Sequence, residues 1–197
     1  MNMGSAHMNH GQLLGRHAEQ VAELQMAPVD GELVLRRIFD APPEMVFKAW
    51  SEPTQVARWF GPCELRMTVR EMDVRPGGAL RMEGLCEAGA SVRIQGEYRE
   101  VEEPDWIVYA DACFLGDTLI CETLATVTFH EVAGEEGRDA DCRTRVTIHC
   151  EPVLGFDAFA QRRWAEGWHA SLERLAAHLA TPSCGVAAEL DAGACCV

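Results

Sequence analysis

Three groups of side chains in this sequence could do chemistry: a few acids and a late histidine, a large number of thiols, and two tyrosines and a threonine spaced for the inner face of strands. Asp111 and Asp117, in the segment after Tyr109, could approach the mouth of a cavity, and His149 could give or take a proton at a strand end. General acid–base work needs such groups to converge, and no local motif compels it. The aspartates read more simply as solvating turns. His149 reads as outward-facing, because its strand parity is opposite to that of Val146 and Ile148. The same parity argues against a Cys150–His149 nucleophilic pair, since adjacent strand side chains point to opposite faces. Cys63 follows Gly61-Pro62 and is better exposed, but no base can be deduced for it. No catalytic residue is assigned.

The chain has nine cysteines, yet none of their spacings makes the paired C-x-x-C knuckles of a zinc site. Cys121, Cys142 and Cys150 fall in strand-like segments, where a reduced thiol serves as a small hydrophobe. Cys184, Cys195 and Cys196 fall in or near a tail expected to be flexible. The adjacent pair there could take a soft metal or an arsenical, or cross-link two chains by a disulfide. His7 and His10 sit beside Gly4–Met8, a run that reads partly as tag residues, so they are poor evidence for a metal site. No metal and no cofactor is expected.

The balance of charge narrows the partners. Against 31 acidic residues stand 17 Lys and Arg, a formal net charge of -14. That field repels phosphate backbones and anionic headgroups, which argues against nucleic acid. No stretch approaches the roughly 18–20 apolar residues needed to cross a bilayer, which argues against membrane insertion. The first residues lack the apolar run of a secretory signal, so a cytoplasmic location is expected.

These groups need a scaffold, and hydrophobic periodicity supplies one. The 197 residues suffice for one substantial core. The expected division is an N-terminal extension over 1–30, flexible or partly helical, one domain over 31–181, and a flexible tail over 182–197. In the extension, Leu14, Val21 and Leu24 give a weakly apolar side to a helix over Leu13–Met26. Glu32–Phe39 alternates as a strand, and Pro42-Pro43 then turns into a helix bearing Val46, Phe47 and Trp50. Pro53 starts a second short helix that ends at Phe60-Gly61-Pro62. Strands are predicted at 65–74, 79–86, 91–101, 106–110, 119–131 and 142–150, with an exposed acidic loop over Gly134–Asp141. Their short connections require antiparallel pairing. Finally, Phe156, Ala160, Trp164, Trp168, Leu172, Leu175 and Leu179 trace one apolar stripe along a long helix, closed by Thr181-Pro182. A one-faced sheet and a one-striped helix bury each other, which makes the fold class α+β.

Several segments, in this order, resemble the START-like (SRPBCC) helix-grip superfamily, in its branch related to the C-terminal domain of the activator of Hsp90 ATPase. They are Arg37-Ile38-Phe39-Asp40-Ala41-Pro42, Val46–Pro53, Trp59-Phe60-Gly61-Pro62, Asp73–Gly78, Gly96–Val101 and Gly167-Trp168 with Leu172 and Leu175. The resemblance runs from about Gly31 to Leu179. It implies a helix-grip fold, an antiparallel curved sheet wrapped around a long C-terminal helix, with two short helices after the first strand. Relatives bind lipids, hormones or polyketides, some are cyclases or hydrolases, one branch assists Hsp90, and many bacterial members have no established role.

Strand parity gives the expected lining of a cavity between sheet and helix: Ile94, Tyr98, Tyr109, Cys121, Thr123, Val127, Val146 and Ile148 from strands, and Phe156, Trp164 and Trp168 from the helix. Trp50 and Phe60 join them at one opening. Such a site suits a small hydrophobic or aromatic molecule, oriented by Tyr98, Tyr109 and Thr123. The same residues also read as ordinary core, with the tryptophans filling the space. The function expected is thus non-enzymatic binding of a hydrophobic ligand. A protein-interaction module related to Hsp90 cochaperones, or a cyclase- or hydrolase-like enzyme, is the alternative. The chain is expected as a monomer or homodimer.

Overall fold

In the computed structural model, which describes residues 23–26, 32–61, 65–86, 89, 91–132, 142–155 and 157–181, the alternating segments are strands of one antiparallel sheet. In chain order they are β1 (Glu23–Met26), β2 (Leu33–Phe39), β3 (Leu65–Met72), β4 (Ala79–Cys86), β5 (Ser91–Glu102), β6 (Trp106–Leu115), β7 (Thr118–Val132) and β8 (Arg143–Leu154). Helices α1 (Pro43–Ser51) and α2 (Pro53–Trp59) follow β2, and α3 (Ala158–Leu179) closes the domain. The spatial order is β1-β2-β8-β7-β6-β5-β4-β3. The chain therefore leaves β2, crosses the sheet through α1 and α2, starts again at the far edge with β3, and meanders back until β8 lies beside β2.

Local chemistry fixes the crossing. Pro43 and Pro53 each occupy the first turn of a helix, where a missing N–H is no loss. Glu52 ends α1 and caps α2 in an extended conformation, so the helices meet at a corner. The corner is held by side chains: the Trp59 indole donates to Ala49 O at 2.9 Å, and Trp50 and Trp59 pack with ring centroids 4.8 Å apart.

The core lies between the concave face of the sheet and the helices. Leu35 and Phe39 of β2, Val127 and Phe129 of β7, and Val146 and Ile148 of β8 are buried with Phe47, Trp50, Leu172 and Leu175. Arg37 shares that inward face and is buried; its guanidinium donates to the half-exposed Glu173 of α3 at 2.7 Å. This ion pair, together with Arg174 Nε donating to Trp59 O at 3.0 Å, fastens the second half of α3 to β2 and α2.

Two expectations change. The predicted helix over 13–26 ends as a strand, since Glu23–Met26 pairs with Arg36–Leu33 of β2. The free edge of β2 offers a full ladder, which a short, weakly amphipathic helix cannot match. The extension thus adds a strand to the sheet. Cys142 precedes β8 and is exposed, with its thiol 3.3 Å from Glu131, so it is no core hydrophobe. Residues 13–22, the acidic loop over 134–141 and the tail after 181 lie outside the described residues.

Candidate functional site

α3 covers only part of the sheet. Its second half is seated on α1, α2 and β2, while its first half stands off β5, β6 and β7 across a hollow of about 490 Å³. The difference comes from what lies beneath. At the β2–β8 side α1 fills the concavity with Phe47 and Trp50, both against Phe129, with centroids 5.4 and 5.8 Å away. Among the described residues no such helix lies under the first half of α3.

The roof alternates large and small residues. Trp168 stacks on Trp50 at 5.5 Å and meets Phe60 edge-on at 5.4 Å; Trp164 tilts against Trp168 at 5.9 Å. Between and beside them Ala160, Gly167 and Ser171 also face the hollow. A side chain at Gly167 would meet nothing within 4 Å of its Cβ. Ser171 is pinned: its hydroxyl accepts from Gly61 N at 3.0 Å and donates to Gly167 O at 2.7 Å. That contact ties the end of α2 to α3. Gly61 itself has φ +102°, a conformation that L side chains rarely adopt, and a Cβ there would strike Met67.

The walls are mainly apolar. Leu80 and Met82 of β4, Val92 and Ile94 of β5 and Ile107 of β6 face inward, with Tyr98 and Tyr109 edge-to-face at 6.1 Å. Burial holds both phenols well above their ordinary pKa, so they stay protonated donors.

One patch of wall is polar. Inward parity continues along β6 through Ile107, Tyr109, Asp111 and Cys113, and register sets Asp111 opposite Thr123 and Cys113 opposite Cys121 on β7. The Thr123 hydroxyl donates to Asp111 Oδ1. Asp111 is half-buried and lines the hollow. Burial pushes its carboxyl up to about 6, and the Thr123 hydrogen bond offsets only part of the rise. The two facing thiols share a hydrogen bond that eases loss of a proton from Cys113 and opposes it at Cys121. Cys150, behind them on β8, is held up to about 12, chiefly by burial.

Comparison with known proteins fits this geometry. The model of the family described as activator of Hsp90 ATPase homolog 1-like protein matches residues 40–180. The chain belongs to that family. Among solved structures, a protein from Chromobacterium violaceum is 30% identical, with TM-score 0.63 over 75% of this chain and 96% of that one. The AHSA1 protein from Silicibacter pomeroyi is 24% identical, with TM-score 0.61 over 76% and 97%. One from Mycobacterium smegmatis is 21% identical, with TM-score 0.65 over 82% and 97%. A search of curated proteins found no match. The fold is the START-like helix grip, which in general serves as a ligand-binding or cochaperone-like module.

Within this family member, the structure brings Trp50, Phe60, Ile94, Tyr98, Tyr109, Cys121, Thr123, Trp164 and Trp168 to the wall of the hollow. It sets Val127, Val146 and Ile148 elsewhere, in the packed core, because α1 lies over β7 and β8. Phe156 and Cys63 lie outside the described residues. Asp117 is exposed and pairs with Arg93 at 3.3 Å, whereas Asp111 is an inward wall residue and not a turn residue. His149 lies on the outer face, 3.0 Å from Glu32. Ending the strand at Ala110 hid Asp111 and Cys113; following the alternation past Ile107 and Tyr109 reveals both. Leu80, Met82 and Met67 were also missed, although Leu80 and Met82 alternate as β4 requires. Among the described residues no group of three or more His, Cys, Asp or Glu could hold a metal, and no helix is long and apolar enough to cross a membrane.

Proposed function

We propose that the domain binds a small hydrophobic or aromatic molecule between the sheet and the first half of α3. The observation that carries this reading is the hollow itself, about 490 Å³. That lies within the roughly 300–1,000 Å³ of small-molecule sites. Its aromatic roof stays raised because Trp168 is engaged by Trp50 and Phe60 and because Gly167 presents no side chain. The mouth lies at the β6–β7 hairpin, where Leu115 is exposed; Leu85, Val153 and Leu154, at the same end of the sheet by register, are exposed as well.

That apolar rim also supports a second reading. The family name links its members to the Hsp90 ATPase, and exposed Leu and Val around a mouth can seat a protein partner. The two readings separate experimentally. Native mass spectrometry of freshly purified protein, compared with the denatured mass, shows any retained ligand. Titration with the uncharged dye N-phenyl-1-naphthylamine then compares the wild type with Gly167→Leu, which puts four carbons into the hollow, and Leu85→Asp, which alters only the rim. Pocket binding predicts loss in the first variant and retention in the second. Undiminished dye binding in a folded Gly167→Leu protein, with no retained ligand, would refute it.

A further inference from the structure

We propose that the hollow selects hydrophobic amines, the ammonium docking on Asp111 while the apolar body lies against the tryptophans. This rests on the ligand-binding reading above and names the chemistry of its ligand. Among the described residues, the only carboxylate on the wall is that of Asp111, and the only hydrogen bond it receives is from Thr123. A half-buried carboxylate among apolar walls favours a proton or a cation as its partner.

Among the described residues no cation acts on it. The described titratable groups that feel its charge are all acids: Tyr109 and Cys113 on β6, Cys121 on β7 and Cys150 on β8. On β5 the residue opposite is Gly96, which leaves the carboxylate uncovered on that side. The single basic residue of the lining, Arg163 of α3, is exposed and pairs with Glu166 at 3.6 Å. The missing positive charge therefore has to arrive with the ligand.

Two further features favour that charge. Trp164, half-buried in the roof, offers an aromatic ring of the kind that attracts cations and flat apolar groups alike. The formal charge of -14 raises the local concentration of cations at the surface and lowers that of anions. Proton and ammonium compete for one carboxylate, so affinity for amines falls as pH drops through the titration of Asp111.

The test uses the full chain and three probes with one body: 1-naphthylmethylamine, 1-naphthalenemethanol and 1-naphthoic acid, titrated by calorimetry. The wild type should bind the amine at least about tenfold more tightly than the alcohol near pH 7.5, and the acid weakest, as expected of a desolvated charge pair. Because Asp111 titrates at about 6, the amine should weaken about tenfold near pH 5 while the alcohol does not. Asp111→Asn should erase the amine's advantage and its pH dependence but keep the alcohol's affinity. Should that variant fail to fold, the pH contrast on the wild type decides alone. Equal binding of amine and alcohol that is lost in Gly167→Leu would overturn amine selection and leave the pocket standing. Binding unaffected by Gly167→Leu, or binding of none of the three probes, would overturn both.

Discussion

Replacing Gly167 tests directly whether the roof of the hollow is open. Glycine inside a helix is less favourable than alanine by about 0.5–1 kcal/mol, because its unfolded backbone has more freedom to lose. At most interior sites the gain from Gly→Ala is cancelled by a clash. At Gly167 a Cβ meets no atom within 4 Å, so nothing offsets it. Gly167→Ala should therefore stabilise the domain by about 0.5–1 kcal/mol, which for a chain of this size raises Tm by about 1–4 °C. Gly167→Leu adds three further carbons that can rest on the apolar walls at about 0.8 kcal/mol each when fully buried, so it should be at least as stable as the alanine variant. Gly96→Ala provides the contrast, since its Cβ would lie 2.4 Å from Ala110 O, and it should be destabilising. Urea and thermal unfolding of the three variants measure the differences. A lower Tm for Gly167→Ala would mean that the helix already packs on the sheet at this point, and the argument for the hollow would fail.

Asp111 should make stability fall with rising pH. Its folded pKa, about 6, lies above the ordinary 3.8, so the native state keeps a proton that the unfolded chain releases. The stabilisation is complete below about pH 4 and lost through about pH 6, by at most roughly 3 kcal/mol, and Asp111→Asn should flatten that slope in urea melts. Glu173 runs the other way: its hydrogen bond from Arg37 holds its carboxyl below the usual range, so that contribution is present above the unfolded pKa and is lost as pH falls through the folded one. Because Arg37 is buried and Glu173 half-exposed, Glu173→Ala strands a guanidinium and should cost about 2–3 kcal/mol, more than Arg37→Met; equal losses in chemical denaturation would contradict this asymmetry. Trp168→Ala removes a ring packed on Trp50 and Phe60 and should cost about 3–5 kcal/mol, whereas Trp164→Ala should cost less and widen the hollow, as unfolding and probe binding together will show. Cys113 and Cys121 face each other across β6 and β7, at a strand separation that permits a disulfide, so diamide should yield a Cys113–Cys121 cross-linked peptide in a digest, absent from Cys113→Ser.

The parts of the fold that were legible in the sequence are those governed by local periodicity. The stripe from Ala160 to Leu179 and the alternation in β2, β5 and β7 each bury one face whatever their partner, so their residues announce the element. The two proline-led helices were equally plain, because Pro43 and Pro53 stop one element and start the next. What escaped depends on partners distant in the chain. β1 exists because β2 has a free edge, which no feature of Glu23–Met26 states. Val127, Val146 and Ile148 carry the same inward parity as Tyr109 and Thr123. Only the path of α1 over one side of the sheet separates packed core from cavity wall. Asp111 was misjudged for a different reason: an acid between strand-like residues usually marks a turn, and here the strand continues through it.

The hollow is open to solvent, so water enters it when nothing else does. The roof cannot collapse to close it, since Trp168 is held by two rings and Ser171 by Gly61. The space must therefore hold something, and water is a poor occupant: outside the patch of Asp111, Thr123 and the tyrosines the walls give it few hydrogen bonds. Water so placed is readily displaced by an apolar body. Under the proposed function, the occupant is a molecule that is oily over most of its length and polar at the one end that reaches β6 and β7.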